Sequence, residues 1–186
     1  ADGYARASGR TGVVFATSGP GATNLVTGIS NANIDSVPMV CITGQVNDLL
    51  LGTDGFQEVD IIGVSAPVTK WNFQITKPEE IPEAIAKAFY IAKSGRPGPV
   101  LIDLTKNAQM GELDFDYQRC TQIRSYKPNP EIDTQQIVRA AELINHSEKP
   151  LVLVGHGVII GQAEEELKAF LDITGIPAAT TLLGLS

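Results

Sequence analysis

The chain has 186 residues, 14 Lys and Arg against 21 Asp and Glu, a formal net charge of −7, and 43% apolar but only 19% charged residues. That composition is a globular one with enough chain to bury a core. The acidic balance, with no Lys/Arg cluster, excludes a nucleic-acid partner, because such affinity rests on concentrated positive charge. No apolar run approaches the roughly 20 residues of a membrane span. The two cysteines, Cys41 and Cys120, lack metal-ligand spacing and fit a reducing cytosol; both read as structural.

The chain opens on a helical segment that stops at Ser8 and Gly9, and it reads as an internal piece of a longer polypeptide. Short β-rich runs follow at Val13–Thr17, Val37–Thr43, Val68–Ile75 and Val100–Leu104, each apolar on both faces. Between the third and fourth, Ile81, Ala84, Ile85, Ala88, Phe89 and Ala92 keep helical spacing from Pro78 to Ser94, with Gly95 closing the helix. Alternating strands and helices predict an α/β fold, with parallel sheets covered by helices on both faces.

From Lys106 to about Ile132 the pattern lapses into polar, irregular sequence. Regular structure resumes with Asp133 as N-cap and with Ile137, Ala140, Ala141 and Ile144 on one face, followed by a strand at Pro150–Val154. A further helix turns Ala163, Leu167, Phe170 and Leu171 inward and carries Glu164, Glu165 and Glu166 at its start, where the helix dipole favours negative charge. Ile176 to Ser186 reads as a buried strand entering a loop. The expected organisation is a first domain over 1–111, a linker over 112–132 and the start of a second domain over 133–186.

Three connections carry candidate chemistry. Thr17 to Asn24 (Thr-Ser-Gly-Pro-Gly-Ala-Thr-Asn) leaves a buried strand, turns on glycine and enters a helix near a proline, which exposes backbone N–H groups. A ligand loop and a plain tight turn are about equally compatible with that pattern. Gly44 to Glu58 is long for a connection and presents Leu49, Leu50 and Leu51, pointing to a surface covered by a ligand or partner. Gly155, Gly157 and Gly161 form a Gly-x-Gly-x-x-x-Gly turn, one residue too long for the dinucleotide fingerprint. His146 and His156 suit packing and capping, and Asp103 suits a hydrogen-bonded strand carboxylate better than an acid or base.

Taken together, Gly3 to Gly9 (GYARASG), Thr17 to Asn24, Thr43 to Val46 (TGQV), Gly52 to Glu58 (GTDGFQE), Lys70 to Asn72 (KWN) and Ser94 to Val100 (SGRPGPV) resemble the acetohydroxyacid synthase (acetolactate synthase) catalytic subunits, which are thiamine-diphosphate enzymes. The resemblance implies that residues 1–111 belong to the pyrimidine-binding first domain and 133–186 to an FAD-associated middle domain. It implies decarboxylation of pyruvate and transfer of the two-carbon unit to a second 2-keto acid, pyruvate or 2-ketobutyrate, in branched-chain amino acid biosynthesis. The catalytic glutamate of the family would lie just before Ala1. By resemblance Pro20 and Asn24 face the cofactor pyrimidine, and Phe56, Gln57 and Lys106 the keto-acid pocket. Arg96, Gly155, Gly157, Thr181, Leu182 and Leu183 match FAD contacts. Thiamine diphosphate, Mg²⁺ and FAD are the implied cofactors, all needing the longer chain. A homodimer or homotetramer, a regulatory small subunit and a cytoplasmic location (plastid or mitochondrial in a eukaryote) are implied with them. Asn47 and Gly55 depart from the family's usual proline and alanine beside the substrate channel. The competing readings are the FAD-free catabolic acetolactate synthase, glyoxylate carboligase and, from another class, a non-catalytic nucleotide-binding module.

Overall fold

The computed structural model describes residues 1–185 and divides the chain into two compact units, Ala1–Asn129 and a second from Pro130 onward. In the first unit, four strands form one parallel sheet in the order β1-β2-β4-β3. They are β1 (Gly12–Ala16), β2 (Met39–Gln45), β3 (Trp71–Ile75) and β4 (Pro99–Thr105). β2 and β4 are central and buried on both faces, the reason their sequences run apolar without alternation.

Each face has its own core. On one, Met39, Cys41 and Leu101 meet Ala5 of α1 (Asp2–Ser8), Ala22 of α2 (Pro20–Thr23), Ile29 and Ala32 of α3 (Val26–Ile34) and Ile61 of α4 (Ile61–Ser65). On the other, Val40, Val100 and Ile102 meet Ala84, Ala88 and Ile91 of α5 (Ile81–Lys93) and Ala108 of α6 (Lys106–Met110). Each large aliphatic buried this way contributes about 1.5–3 kcal/mol of transfer free energy. Small residues on the helices let them approach the branched residues of the strands. β1 is an edge strand, and its Phe15 stays 73% exposed.

Two expectations need correction in this unit. The third strand begins at Trp71 rather than Val68, because Ala66–Val68 forms a 3₁₀ turn around Pro67, which has no N–H to give a ladder. The chain after Lys106 is not irregular at once, since α6 follows β4 directly. A five-residue helix is too short to show a period. Residues 112–133 run without helix or strand, yet the stretch through Asn129 belongs to the first unit. The Tyr126 hydroxyl donates to the Ser94 carbonyl at 3.2 Å, and Ile123 packs on the second core.

In the second unit β5 (Val152–Val154) and β6 (Ala178–Thr180) pair in parallel. Asp133 caps α7 (Thr134–Asn145), its carboxylate accepting from the Gln135 and Gln136 amides at 2.9 and 3.3 Å. α8 (Gly157–Gly161) and α9 (Glu164–Thr174) follow, the latter with the expected acidic first turn and with Leu167, Phe170 and Leu171 half-buried. Two other faces differ from expectation. β6 is exposed along its length, and so are Ile137, Ala140 and Ala141 of α7, because a two-stranded sheet is too narrow to cover them.

Candidate functional site

The first unit's sheet ends in a cavity of about 370 Å³ at the carboxyl ends of β1, β2 and β4, where an open parallel sheet offers its ligand crevice. Phe15, Ile42 and Leu104 form an apolar wall, while Ser18, Lys106 and Gln109 supply polar groups. Parallel register places Phe15 beside Ile42, so one apolar patch arises from two strands. Among the described residues Lys106 makes no ion pair, which leaves an available cation at the cavity. Gln109 reached the cavity unanticipated, because α6 itself was not legible. A larger cavity, about 640 Å³, has Glu79, Glu83, Glu112, Asp114 and Asp116 around it, and five carboxylates repel an anionic substrate.

Beyond β1, Thr17 and Ser18 lead into Gly19 at φ 58°, ψ −121°, with Pro20 at the first position of α2. The expected row of free N–H groups is reduced here. α2 is a single turn, and the Gly21 amide is held by the Ser18 carbonyl at 3.3 Å. Pro20 and Asn24 are exposed on this turn; neither lines the cavity, whose wall includes Thr17 and Ser18 just before them. A Cβ on Gly19 would stand 2.9 Å from the Gln57 carbonyl oxygen and 3.0 Å from its Cα, so only glycine admits this approach. The two loops are therefore in contact at Gly19 and Gln57, and Gln57 holds a left-handed backbone at φ 60°. Phe56 beside it is 90% exposed and does not line the cavity, and Leu49 and Leu50 are uncovered as well.

Beneath the cavity lies a polar cluster that the sequence reading gave only through Asp103. Thr43 and Gln45 contribute to the cavity wall and also hydrogen-bond Asp103. Asp103 is fully buried and accepts from Thr43 Oγ1 at 2.8 Å, Gln45 Nε2 at 3.1 Å and Gln74 Nε2 at 2.9 Å. Burial raises its pKa, opposed by those three donors. It is a satisfied carboxylate, as expected, though inside β4 and not at its end. The signal available for its partners is polar residues at every second position: Thr43 and Gln45 in β2, Asn72 and Gln74 in β3. Cys41 has its thiol pushed up to about 12 by burial.

The residues matched to FAD contacts fall in both units. Arg96 is exposed in the first, its Nε donating to Ser36 Oγ at 2.8 Å and its Nη2 to the Ile34 carbonyl at 2.9 Å. In the second, Gly155 and Gly157 follow β5, and Thr181, Leu182 and Leu183 follow β6. Parallel pairing of Val154 with Thr180 brings those two sets to the same sheet end. Space is open above both glycines, and the Thr181 amide donates to the Val154 carbonyl at 2.9 Å. His156 sits half-buried in that turn with no side-chain capping bond, whereas His146 Nδ1 lies 2.7 Å from the Glu142 carbonyl at the end of α7.

The cavity pairs an apolar wall with a rim that carries an amide, a hydroxyl and an ammonium, a mixture typical of small-molecule sites. The described residues do not fit a diphosphate and its metal ion, because Lys106 is the lone cation at the cavity and no group of three His, Cys, Asp or Glu could hold a metal. Likewise, no helix among them is long and apolar enough to cross a membrane.

Residues 1–64 match the thiamine pyrophosphate enzyme N-terminal TPP binding domain and residues 137–186 the thiamine pyrophosphate enzyme central domain. The chain belongs to the thiamine pyrophosphate enzyme family. Within it, the chain is 55% identical over its whole length to the acetolactate synthase large subunit of Corynebacterium glutamicum, covering 30% of that protein. It is 53% identical over 99% of its length to a probable acetolactate synthase large subunit of Methanocaldococcus jannaschii, and 45% identical over 99% to the acetolactate synthase large subunit of Porphyra purpurea. The chain spans about a third of these relatives, 30 to 32%.

Proposed function

We propose that this chain is part of an acetolactate synthase catalytic subunit, which joins the two-carbon unit of one pyruvate to a second 2-keto acid. The observation that carries the reading is the 55% identity to an acetolactate synthase large subunit along the whole chain. The cavity geometry supports it. Pro20 and Asn24 would bound the pyrimidine of thiamine diphosphate, which when bound supplies the electron sink for decarboxylation. Lys106, exposed at the cavity and free of any ion pair among the described residues, would attract the keto-acid carboxylate. Phe56 and Gln57 would meet the substrate from the adjoining loop. The diphosphate and its Mg²⁺ need groups from another domain, contributed by a partner copy in a homodimer or homotetramer. The exposed Leu49, Leu50 and Phe56 fit such an interface.

Arg96 and the segment ends at Gly155, Gly157 and Thr181 to Leu183 would contact FAD, and a regulatory small subunit would act on the assembled enzyme. The reading places residues 1–111 in the pyrimidine-binding domain, 112–132 in a linker and 133–186 in the middle domain. The compartment follows the biosynthetic role, cytoplasmic in a prokaryote. The test is acetolactate formation from pyruvate by the full-length protein with thiamine diphosphate and Mg²⁺. Turnover is expected, with a flavin absorption band in the purified protein. Glyoxylate carboligation without acetolactate would assign the protein to another member of the family.

A further inference from the structure

The hydrogen bonds around Asp103 extend beyond the sheet. Gln45 uses every polar group of its amide: Nε2 donates to Asp103 Oδ2 at 3.1 Å and to the Val59 carbonyl at 2.8 Å, while Oε1 accepts from the Val46 amide at 2.9 Å. Val46 and Val59 are the two feet of the loop that carries Phe56 and Gln57. One side chain thus clamps both ends of that loop. An amide can also sit flipped, and flipping Gln45 would set Nε2 against the Val46 N–H and Oε1 against the Val59 carbonyl. Those two backbone groups disfavour the flip; the acceptor at Asp103 Oδ2 adds a third preference for the same orientation and ties the amide to β4, and Gln74 Nε2, at 2.9 Å from the same oxygen, holds that acceptor in place.

The two feet are not equally secured. Val46 has a second fastening through the Lys106 amide, which donates to its carbonyl at 3.3 Å, and Asp48 is held by Asn107 Oδ1 at 3.0 Å. The Val59 carbonyl, two residues from Gln57, whose backbone abuts Gly19, accepts from the Ile61 amide at 2.8 Å within the same turn and from Gln45, its only side-chain donor among the described residues, while the Val59 side chain packs on the first core. The far foot's hydrogen bond to β2 is therefore the one from Gln45, and Asp103 is the partner that ties that amide to β4.

We infer that Asp103 is a positioning residue: through the Gln45 amide it fixes the far foot of the 46–59 loop, and so sets where Gln57 meets Gly19. It acts as an acceptor, and its charge is incidental to this role. The activity arm of the test rests on the function proposed above; the exchange arm does not.

The experiment compares Asp103→Leu, Gln45→Met and Asp103→Asn with wild type in the full-length protein, by hydrogen exchange and steady-state kinetics. With Asp103→Leu and Gln45→Met, exchange in peptides covering 46–59 is expected to quicken about tenfold, roughly the loss of one well-made buried hydrogen bond, while β2 and β4 stay protected. KM for pyruvate rises by more than kcat falls. Asp103→Asn can keep a carbonyl oxygen toward Gln45 and Gln74 and turn its amide toward the Thr43 hydroxyl, so it restores both protection and KM. If Asp103→Leu does not fold, Gln45→Met carries the comparison. Unchanged exchange in 46–59, equal acceleration in β2 and β4, or an Asp103→Asn protein as impaired as Gln45→Met would each overturn the inference. A wild-type protein that forms no acetolactate would count against the proposed function instead, with loop exchange still deciding this point.

Discussion

Replacing Gly19 by alanine tests the contact between the two loops beside the cavity. The new methyl would lie 2.9 Å from the Gln57 carbonyl oxygen, 3.0 Å from its Cα and 3.1 Å from its Cβ. Optimal contact is about 3.5–4.0 Å, so something must move by about half an ångström or more. The backbone at φ 58°, ψ −121° is also one that a side chain adopts at a cost of about 1–3 kcal/mol. Overpacking adds a similar amount, about 1–3 kcal/mol, unless the 46–59 loop retreats. With partial retreat the net is about 2–3 kcal/mol, or about 6–12 °C in the melting midpoint of a unit this size. Differential scanning calorimetry of the full-length protein reads that shift. The same retreat displaces Gln57, so KM for pyruvate rises in the variant as well. A Gly19→Ala protein with wild-type melting and wild-type KM would refute the reasoning, since neither the strain nor the contact would then exist.

Other outcomes follow from the same geometry. Lys106→Met should raise KM for pyruvate about tenfold with little change in melting, because the ammonium makes no ion pair among the described residues and its loss leaves nothing buried unpaired; a destabilised variant with unchanged KM would contradict this. Asp103 has its pKa raised by burial, so in the folded protein it binds its proton more tightly than in the unfolded chain, where the value is about 3.9. The stability of wild type minus that of Asp103→Asn should therefore fall as pH rises from about 4 through the raised folded value, as read from urea midpoints; a difference that rises with pH would reverse the assigned cause. Cys41, buried and with its thiol pushed up to about 12, should stay unmodified by iodoacetamide at pH 8 while half-exposed Cys120 is alkylated, as followed by peptide mapping.

The sequence reveals those parts of the molecule whose cause is local. Val100 to Leu104 reads as a buried strand because both faces of β4 are covered, and Asp133 reads as a cap because its bonds reach only two and three residues ahead. The loop at Thr17 to Asn24 announces itself through Gly19 and Pro20. α6 escapes notice, being shorter than two turns and lacking a side-chain cap. The clamp at Gln45 is hidden for a different reason. Its partners lie 58 residues away at Asp103, brought near by the register of β2 against β4, and 14 away at Val59, brought near by the return of the loop after β2. The inward face expected for α7 is absent for want of a broad sheet beneath it, a matter of what surrounds a helix and not of its own pattern.

The central claim is that the cavity at the ends of β1, β2 and β4 receives the cofactor's pyrimidine. A crystal structure of the full-length protein with thiamine diphosphate and Mg²⁺ tests it most directly. The account predicts the aminopyrimidine seated at this cavity with Pro20 and Asn24 against it and Gln57 still resting on Gly19. A pyrimidine bound elsewhere, with Ser18, Pro20 and Asn24 in contact with nothing but solvent, would contradict it.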